Sequence, residues 1–399
     1  MFTDHTIVSF AWENFDGPWL SRQYIATSLA KRMPVLYVTP EQRFDAVIAG
    51  LRSPATRKPL LARTTPIRDN LVHLDPGGVF PRFYETKTAL NRWSGRQRMN
   101  RINRTVASLG WPGKKIVYVW NPDFHDVFGG LGETLSIFHC VDYFPHYFRE
   151  GTPHRKVSIR NLETCLRRAD IVLTTCGVLE DKLAEHVDRK YTRLLHGVDI
   201  EAFTAGLRAE EPDDLKDIPH PRLAHIGRIN NKIDTGLLAD IAEQNPQWSV
   251  VLMGPVVSDL SEATRKGLAR LESLPNAFLL PGRRPHELPP YYGAVDVGLM
   301  AYHMSFWVPY GFPLKFFEFL GAGKPMICSP LDSMTEFPEF VTLADSTESW
   351  IEAINVALAT DSEAKRARRK ELASLSSWDH RAGEILGHLE TEFNTQGRF

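Results

Sequence analysis

Short apolar runs rich in β-branched residues recur along the chain, and stretches with helical spacing separate them. The runs at 6–10, 35–38, 71–74, 116–120, 135–140, 171–175 and 192–195 read as strands. Past an interruption, so do 222–226, 249–253, 277–280, 295–300 and 325–328. Helix-length stretches lie between most of them, among them 21–31, 87–108, 156–169, 235–243 and 314–321. Alternating βα units predict parallel sheets covered by helices on both faces. The interruption at 204–221 holds Gly206, Pro212, Pro219 and Pro221 among acidic residues and has little apolar period, which reads as an inter-domain linker. The expected plan is an N-terminal domain over 1–203 and a C-terminal domain over 222–377. Each has enough strands for one doubly wound, Rossmann-like sheet.

Composition narrows the class. With 399 residues, 43% hydrophobic and 24% charged, the chain is too apolar to be disordered. Its longest apolar runs, such as 295–302 with its single Asp296, fall well short of the roughly 18–20 residues of a membrane span. The opening residues Met1–His5 lack the basic and apolar regions of a signal peptide. Cys140, Cys165, Cys176 and Cys328 are scattered, without zinc-ribbon or redox spacing, so a reducing, cytoplasmic setting is expected.

A net charge of −1 conceals a polar division. Residues 1–200 carry 28 Lys and Arg against 20 Asp and Glu, while residues 201–399 carry 19 against 28. Residues 51–104 alone hold 12 basic and 3 acidic side chains, which points to an anionic partner for the first half. The helix expected at 87–108 sets Arg92, Arg96, Arg98, Arg101 and Arg104 among Leu90, Trp93, Ile102 and Val106. That pattern suits an anionic membrane surface at its inner face, or a solvated helix packing its apolar side on its own domain. No nucleic-acid-binding motif accompanies it, and no nucleic-acid partner is expected.

Two segments carry candidate chemistry. In PLKFFEFLGAGKP, 313–325, Pro313 suits a first helical position, Gly321 and Gly323 its end, and Pro325 prevents continuation. Lys315, Glu318 and Ala322 then share a face. A helix start at the carboxyl edge of a parallel sheet suits a phosphate, and a carboxylate further along suits a vicinal diol such as ribose. In HIGRINNKID, 225–234, Gly227 permits a tight turn after a strand, and Arg228 and Lys232 follow in the loop. Two cations there can neutralise a departing diphosphate.

GRINNKID, LLPGRR, PPYYGAVDVGLMAY and PLKFFEFLGAGKP, in that order, resemble the donor-binding domain of GT-B glycosyltransferases, nearest to family 4 (group 1) and its relatives in bacterial polysaccharide synthesis. HGVDIEAF at 196–203 resembles the segment closing the N-terminal domain in that group. WENFDGPWLSRQYIATSLAKRMPVLYVTP at 12–40 and HCVDYF at 139–144 resemble a subgroup acting on cell-surface polysaccharides. The resemblance implies two Rossmann-like domains facing each other across a cleft, with the last helix, 378–399, crossing back to the first domain. It implies metal-independent transfer of a sugar from a nucleotide-diphosphate sugar, a substrate rather than a cofactor, to a glycan or lipid-linked acceptor.

By the same resemblance, Arg228 and Lys232 hold the diphosphate and Glu318 the ribose. Gly311, Phe312, Pro313 and Leu314 lie where backbone N–H groups meet the phosphates, though Pro313 has none to give, and Arg284 lies near the base. His303 is placed to face the donor sugar, and Gly227 forms the turn. Tyr310 stands where the family often has a glutamate contacting the sugar, and the Arg-to-Lys spacing is one residue short. A retaining outcome needs no protein base. An inverting one does, and Asp142 and then His125, in loops after N-terminal strands, are the candidates, with Asp16 and Gly17 in the same region. A sugar-nucleotide epimerase or hydrolase and a non-catalytic nucleotide-binding scaffold are the alternatives. The absence of G-x-G-x-x-G after the first strand speaks against a nicotinamide enzyme.

Overall fold

The computed structural model describes residues 2–53, 58–83, 88–304 and 309–397. The chain divides into two units. One comprises Met1–Thr175, Glu180–Leu194 and Arg381–Phe399, the other Cys176–Leu179 and Leu195–His380.

Among the described residues, the first unit holds eight strands: β1 (His5–Phe10), β2 (Val35–Val38), β3 (Arg63–Arg68), β4 (Leu71–Asp75), β5 (Lys114–Val119), β6 (Leu135–Cys140), β7 (Ile171–Thr174) and β8 (Thr192–Arg193). They form one sheet in the order β3-β4-β2-β1-β5-β6-β7-β8. Every pairing is parallel except β3 with β4. The second unit holds β9 (Arg222–Ile226), β10 (Ser249–Met253), β11 (Ala277–Leu280), β12 (Val297–Met300), β13 (Met326–Cys328) and β14 (Thr342–Leu343). These run parallel in the order β11-β10-β9-β12-β13-β14. Each sheet is thus doubly wound. Its strand order reverses once, between β1 and β5 and between β9 and β12, and crevices at the carboxyl ends of such reversals take ligands.

Burial explains why these segments are strands. β1, β2, β6, β9 and β10 are buried at every residue. In the second unit Leu223, Val250, Leu252, Val297, Leu299 and Ile327 pack with Leu238, Ile241, Leu271, Trp350 and Ile354 from the flanking helices. The apolar pattern misses two strands, and both lie at sheet edges. β3, Arg-Thr-Thr-Pro-Ile-Arg, is largely exposed, with Pro66 at a register shift, and β14 is two residues long. Edge strands need no continuous apolar run and tolerate proline, so this pattern leaves little trace of them.

The stretch 204–221 is not a free linker. It includes the end of a helix, Ile200–Gly206, and a short helix, Asp213–Lys216. The Phe203 ring meets Tyr292 at 5.4 Å, Leu215 and Ile218 are buried, and Asp214 pairs with Arg283 at 2.6 Å. Pro212, Asp213 and Asp214, which break the period here, stand at the start of a short helix, and the whole stretch lies within Leu195–His380 of the second unit. The helix Trp378–Thr395 joins the first unit from Arg381 onward, where Phe393 lies edge-on to Phe2 and Gln396 donates to Asp170 at 3.0 Å. The basic helix spans Thr88–Ser108, and Lys87, where it was expected to start, lies outside the described residues. Among the described residues, no helix is long and apolar enough to cross a membrane.

Candidate active site

The carboxyl ends of β9, β10 and β12, together with the start of the helix Lys315–Ala322, build one group of side chains in the second unit. β9 ends in Gly227, whose φ is +140° and whose N–H donates to Met253 O at 2.7 Å. A Cβ there would lie 2.6 Å from Nζ of Lys315, so only glycine lets that ammonium rest against the turn. The loop beyond is pinned to the chain after β10. Ile229 N–H donates to Pro255 O at 3.0 Å and Val257 N–H to Ile229 O at 3.1 Å. Arg228 is exposed on this loop, whereas Lys232 is partly buried.

The loop after β12 closes the group. His303 N–H donates to Lys232 O at 2.9 Å, and His303 Nδ1 lies 3.3 Å from Asp234 Oδ2. Asp234 also caps the helix Thr235–Gln244 by accepting from Leu237 N–H at 2.9 Å. His303 is therefore attached to the cation-bearing loop through backbone and side chain alike.

The helix Lys315–Ala322 ends on Gly323 at φ +72°, with Gly323 N–H to Leu320 O and Lys324 N–H to Phe319 O closing the cap. Its first turn closes through Phe316 N–H to Pro313 O and Phe317 N–H to Leu314 O, both 3.2 Å. That leaves the Leu314 and Lys315 N–H groups without an intrahelical acceptor, the usual state of a helix start and a ready anion site. Desolvation holds the Lys315 ammonium below the ordinary lysine value. Glu318 opposes that shift and Lys232 adds to it, which places all three within electrostatic reach. Glu318 Oε2 accepts from Tyr292 Oη at 2.5 Å. Desolvation raises the Glu318 carboxyl, with the Tyr292 hydrogen bond and Lys315 acting against the rise.

The structure thus brings together Gly227, Lys232, His303, Lys315 and Glu318, with Arg228 exposed on the same loop. Other expected positions fall differently. Phe312 packs its ring in the core, 5.7 Å from both Phe316 and Phe337 and 5.8 Å from Phe317, and the role expected of it, through its backbone N–H, does not involve that ring. Gly311 O accepts from Ser333 Oγ at 2.8 Å. Arg284 is exposed, its N–H held by Glu287 at 2.8 Å, while the adjacent Arg283 is the one bound inward to Tyr291 and Asp214. Lys315 and Tyr292 were not singled out for these roles. The signal for Lys315 was its place three residues before Glu318 at a helix start; for Tyr292 a lone tyrosine in PPYYG gave none.

Asp142 and His125 lie in the first unit. Asp142 accepts from Tyr147 Oη and, at 2.9 Å, from Tyr143 N–H. His125 Nδ1 lies 3.2 Å from Pro122 O, and burial lowers its pKa. Among the described residues, no group of three or more His, Cys, Asp or Glu is arranged to hold a metal ion.

Beneath the site, His225 on β9 is fully buried, with Nδ1 3.3 Å from Leu299 O. Burial, and then Lys315, lowers its pKa from 6.5 to about 3. The unfolded chain therefore binds the extra proton first, so stability falls as pH drops from 6.5 towards about 3. His225→Leu should flatten that acid limb by up to about 4 kcal/mol. Unfolding midpoints measured across the window check this, and an unchanged slope would refute it.

Comparison with known proteins bears on the same region. Residues 220–360 match the family described as glycosyl transferases group 1. That span covers the strands, the cation loop, His303, Lys315 and Glu318. TuaH of Bacillus subtilis strain 168, described as a candidate teichuronic acid biosynthesis glycosyltransferase, is 30% identical over 227 residues, 54% of this chain and 55% of TuaH. The chain thus spans about half the length of that relative in alignment. Among solved structures, sucrose-phosphate synthase from Thermosynechococcus elongatus is 15% identical with a TM-score of 0.71, over 98% of this chain and 100% of that one. HepE of Anabaena in complex with UDP-glucose is 13% identical with a TM-score of 0.68, over 97% and 99%. An α,α-trehalose-phosphate synthase from Burkholderia xenovorans is 11% identical with a TM-score of 0.66, over 97% and 99%. The fold is GT-B.

Proposed function

We propose that the protein is a glycosyltransferase that moves a sugar from a nucleotide-diphosphate sugar to a glycan or lipid-linked acceptor in cell-surface polysaccharide synthesis. The observation that carries this reading is the meeting of Lys232, Lys315 and an open helix start beside Glu318. The cations and N–H groups stabilise charge as the glycosidic bond to the diphosphate breaks. Glu318, held by Tyr292, accepts hydrogen bonds from the ribose diol. These groups act without a metal ion in our reading. HepE holds UDP-glucose in its complex, and TuaH is described for teichuronic acid biosynthesis, so UDP-sugars are the first donors to test.

We assign the donor to the second unit and the acceptor to the first, with the protein working from the cytoplasmic side. The outcome is retaining, the departing phosphate oxygen taking the acceptor's proton. Asp142, fixed by Tyr147 and Tyr143, then binds the acceptor. Transfer from a panel of labelled UDP- and GDP-sugars, with anomer analysis of the product, tests this. Folded protein that neither transfers nor hydrolyses any donor would refute it. Tyr310, standing where the resembled family often has a glutamate, favours keeping an epimerase or hydrolase as the second reading. Products formed without acceptor separate the two.

The ribose assignment has a pH signature. Ionised Glu318 accepts through both oxygens and protonation turns one of them into a donor, and desolvation raises its pKa, so UDP affinity should weaken on acidification sooner than with an ordinary glutamate. Tyr292→Phe removes a hydrogen bond that lowers that pKa, so the loss should begin at higher pH. Glu318→Gln should remove the acid limb. Calorimetric titration at several pH values checks both, and an identical profile in all three proteins would contradict the assignment.

A further inference from the structure

Asp142, assigned to the acceptor, takes two hydrogen bonds from one short segment. Tyr143 N–H donates to its Oδ1 at 2.9 Å, and Tyr147 Oη donates to its Oδ2. Tyr143 also stands at the start of the 3-10 turn Phe144–Tyr147, where His146 N–H donates to Tyr143 O at 3.0 Å. The place of Tyr143 therefore sets both the N–H beside Asp142 and the turn that carries Tyr147.

The Tyr143 side chain is tied in turn. The residue is 2% exposed, and its Oη lies 2.7 Å from His186 Nε2. His186 Nδ1 lies 3.3 Å from Glu163 Oε1. An ionised carboxylate only accepts, so Nδ1 carries the proton directed at Glu163. In the neutral ring Nε2 is then a bare acceptor, and Tyr143 Oη–H donates to it. The three side chains form one directed chain, from Tyr143 through His186 to Glu163. They come from the turn after β6, the helix Pro153–Arg168 and the turn at 185–186, all in the first unit.

Other charged groups surround this chain. Lys182 Nζ lies 5.4 Å from the centre of the Tyr143 ring and 2.5 Å from Glu185 Oε2, and Arg167 Nη2 lies 3.8 Å from Glu163 Oε2. The helix that carries Glu163 also holds the far end of the turn, since Arg155 Nη1 donates to Pro145 O at 3.3 Å and to Phe148 O at 3.4 Å. A buried phenol without an acceptor is costly, so loss of His186 drives the Tyr143 ring towards water and draws its N–H away from Asp142. Tyr143 is too deeply buried to touch a substrate, which leaves Asp142 as the group through which the chain acts.

We propose that Glu163, His186 and Tyr143 are positioning residues that hold Asp142 in place for the sugar acceptor. The proposal rests on the assignment of Asp142 to the acceptor.

Two measurements on the full chain test it. Hydrogen exchange needs no substrate: His186→Leu should speed exchange of the amides at 141–148 by at least about tenfold and leave those of β6 unchanged. Kinetics use UDP-sugars with alkyl glycosides as acceptors. His186→Leu and Tyr143→Phe should each lower kcat/KM for the acceptor by about 10–100-fold, chiefly through KM. His186→Gln should recover part of the loss, its amide oxygen accepting from Tyr143 Oη. In an Asp142→Ala background the effect of His186→Leu should vanish, because a positioning residue has nothing left to position. Calorimetric UDP affinity should not change. Equal losses with and without Asp142, or wild-type exchange and acceptor KM in folded His186→Leu, would overturn the proposal. Wild-type protein that turns over no donor would count against the glycosyltransferase reading, and exchange would still decide whether His186 holds the segment.

Discussion

Lys315→Ala should lower turnover on a nucleotide-sugar donor by about 10²–10³-fold, with a smaller change in KM. Lys315 sits at a helix start, against a turn that only glycine leaves open, and within electrostatic reach of Lys232 and Glu318. Desolvation disfavours its charged form, and a bound diphosphate would oppose that. Charge on the leaving diphosphate increases as the glycosidic bond breaks, so a fixed ammonium there favours the transition state over the ground state. Lys315→Arg keeps the charge but not the shape of the recess at Gly227, and should recover only part of the rate. Steady-state kinetics with a donor that wild type turns over decides the matter. If Lys315→Ala unfolds more easily but keeps wild-type turnover, the lysine serves only to pack the turn.

Gly254→Ala should cost at least about 3 kcal/mol, enough to leave little folded protein. Gly254 follows β10 at φ +154°, and a Cβ there would lie 2.0 Å from Gly227 O and 2.5 Å from Gly227 C. Both are backbone atoms held by β9 and β10, so no rotamer change relieves the overlap. Either the strand ends separate or the loop carrying Arg228 and Lys232 moves. Denaturant unfolding measures the loss, and nucleotide calorimetry on the residual folded fraction measures the displacement. A midpoint equal to wild type would show that the two strand ends are not tightly apposed.

The two glycines also show where reading by sequence stops. Gly227 was expected to form a tight turn, and its φ of +140° fits that reading. Nothing in the order of residues indicated that Gly254, 27 positions later, occupies the same space, because their contact arises only when β9 and β10 pair. The strands of both sheet centres were legible since burial on two faces demands apolar runs. β3 and β14 were not, because an edge answers to solvent. The 204–221 segment misled for a related reason. Proline and acid clusters mark the starts of short helices as well as linkers, and only the docking of Phe203, Leu215 and Ile218 tells them apart. At Arg283 and Arg284, adjacent and identical in type, the turn before Pro285 sends one guanidinium to Asp214 and leaves the other in solvent.

By itself the sequence determined the alternation of strands and helices, the cation loop at Arg228 and Lys232, the bounded helix bearing Glu318, and the excess of positive charge in the first half. Those are local properties: period, turn chemistry, capping and composition act over a few residues. Tertiary structure alone decided that Lys315 joins the site, that Tyr292 holds Glu318 and that the Phe312 ring belongs to the core. Each of these depends on residues far apart in the chain meeting when sheets and helices pack. A side chain's neighbours, and with them its charge state and role, do not exist until that packing is complete.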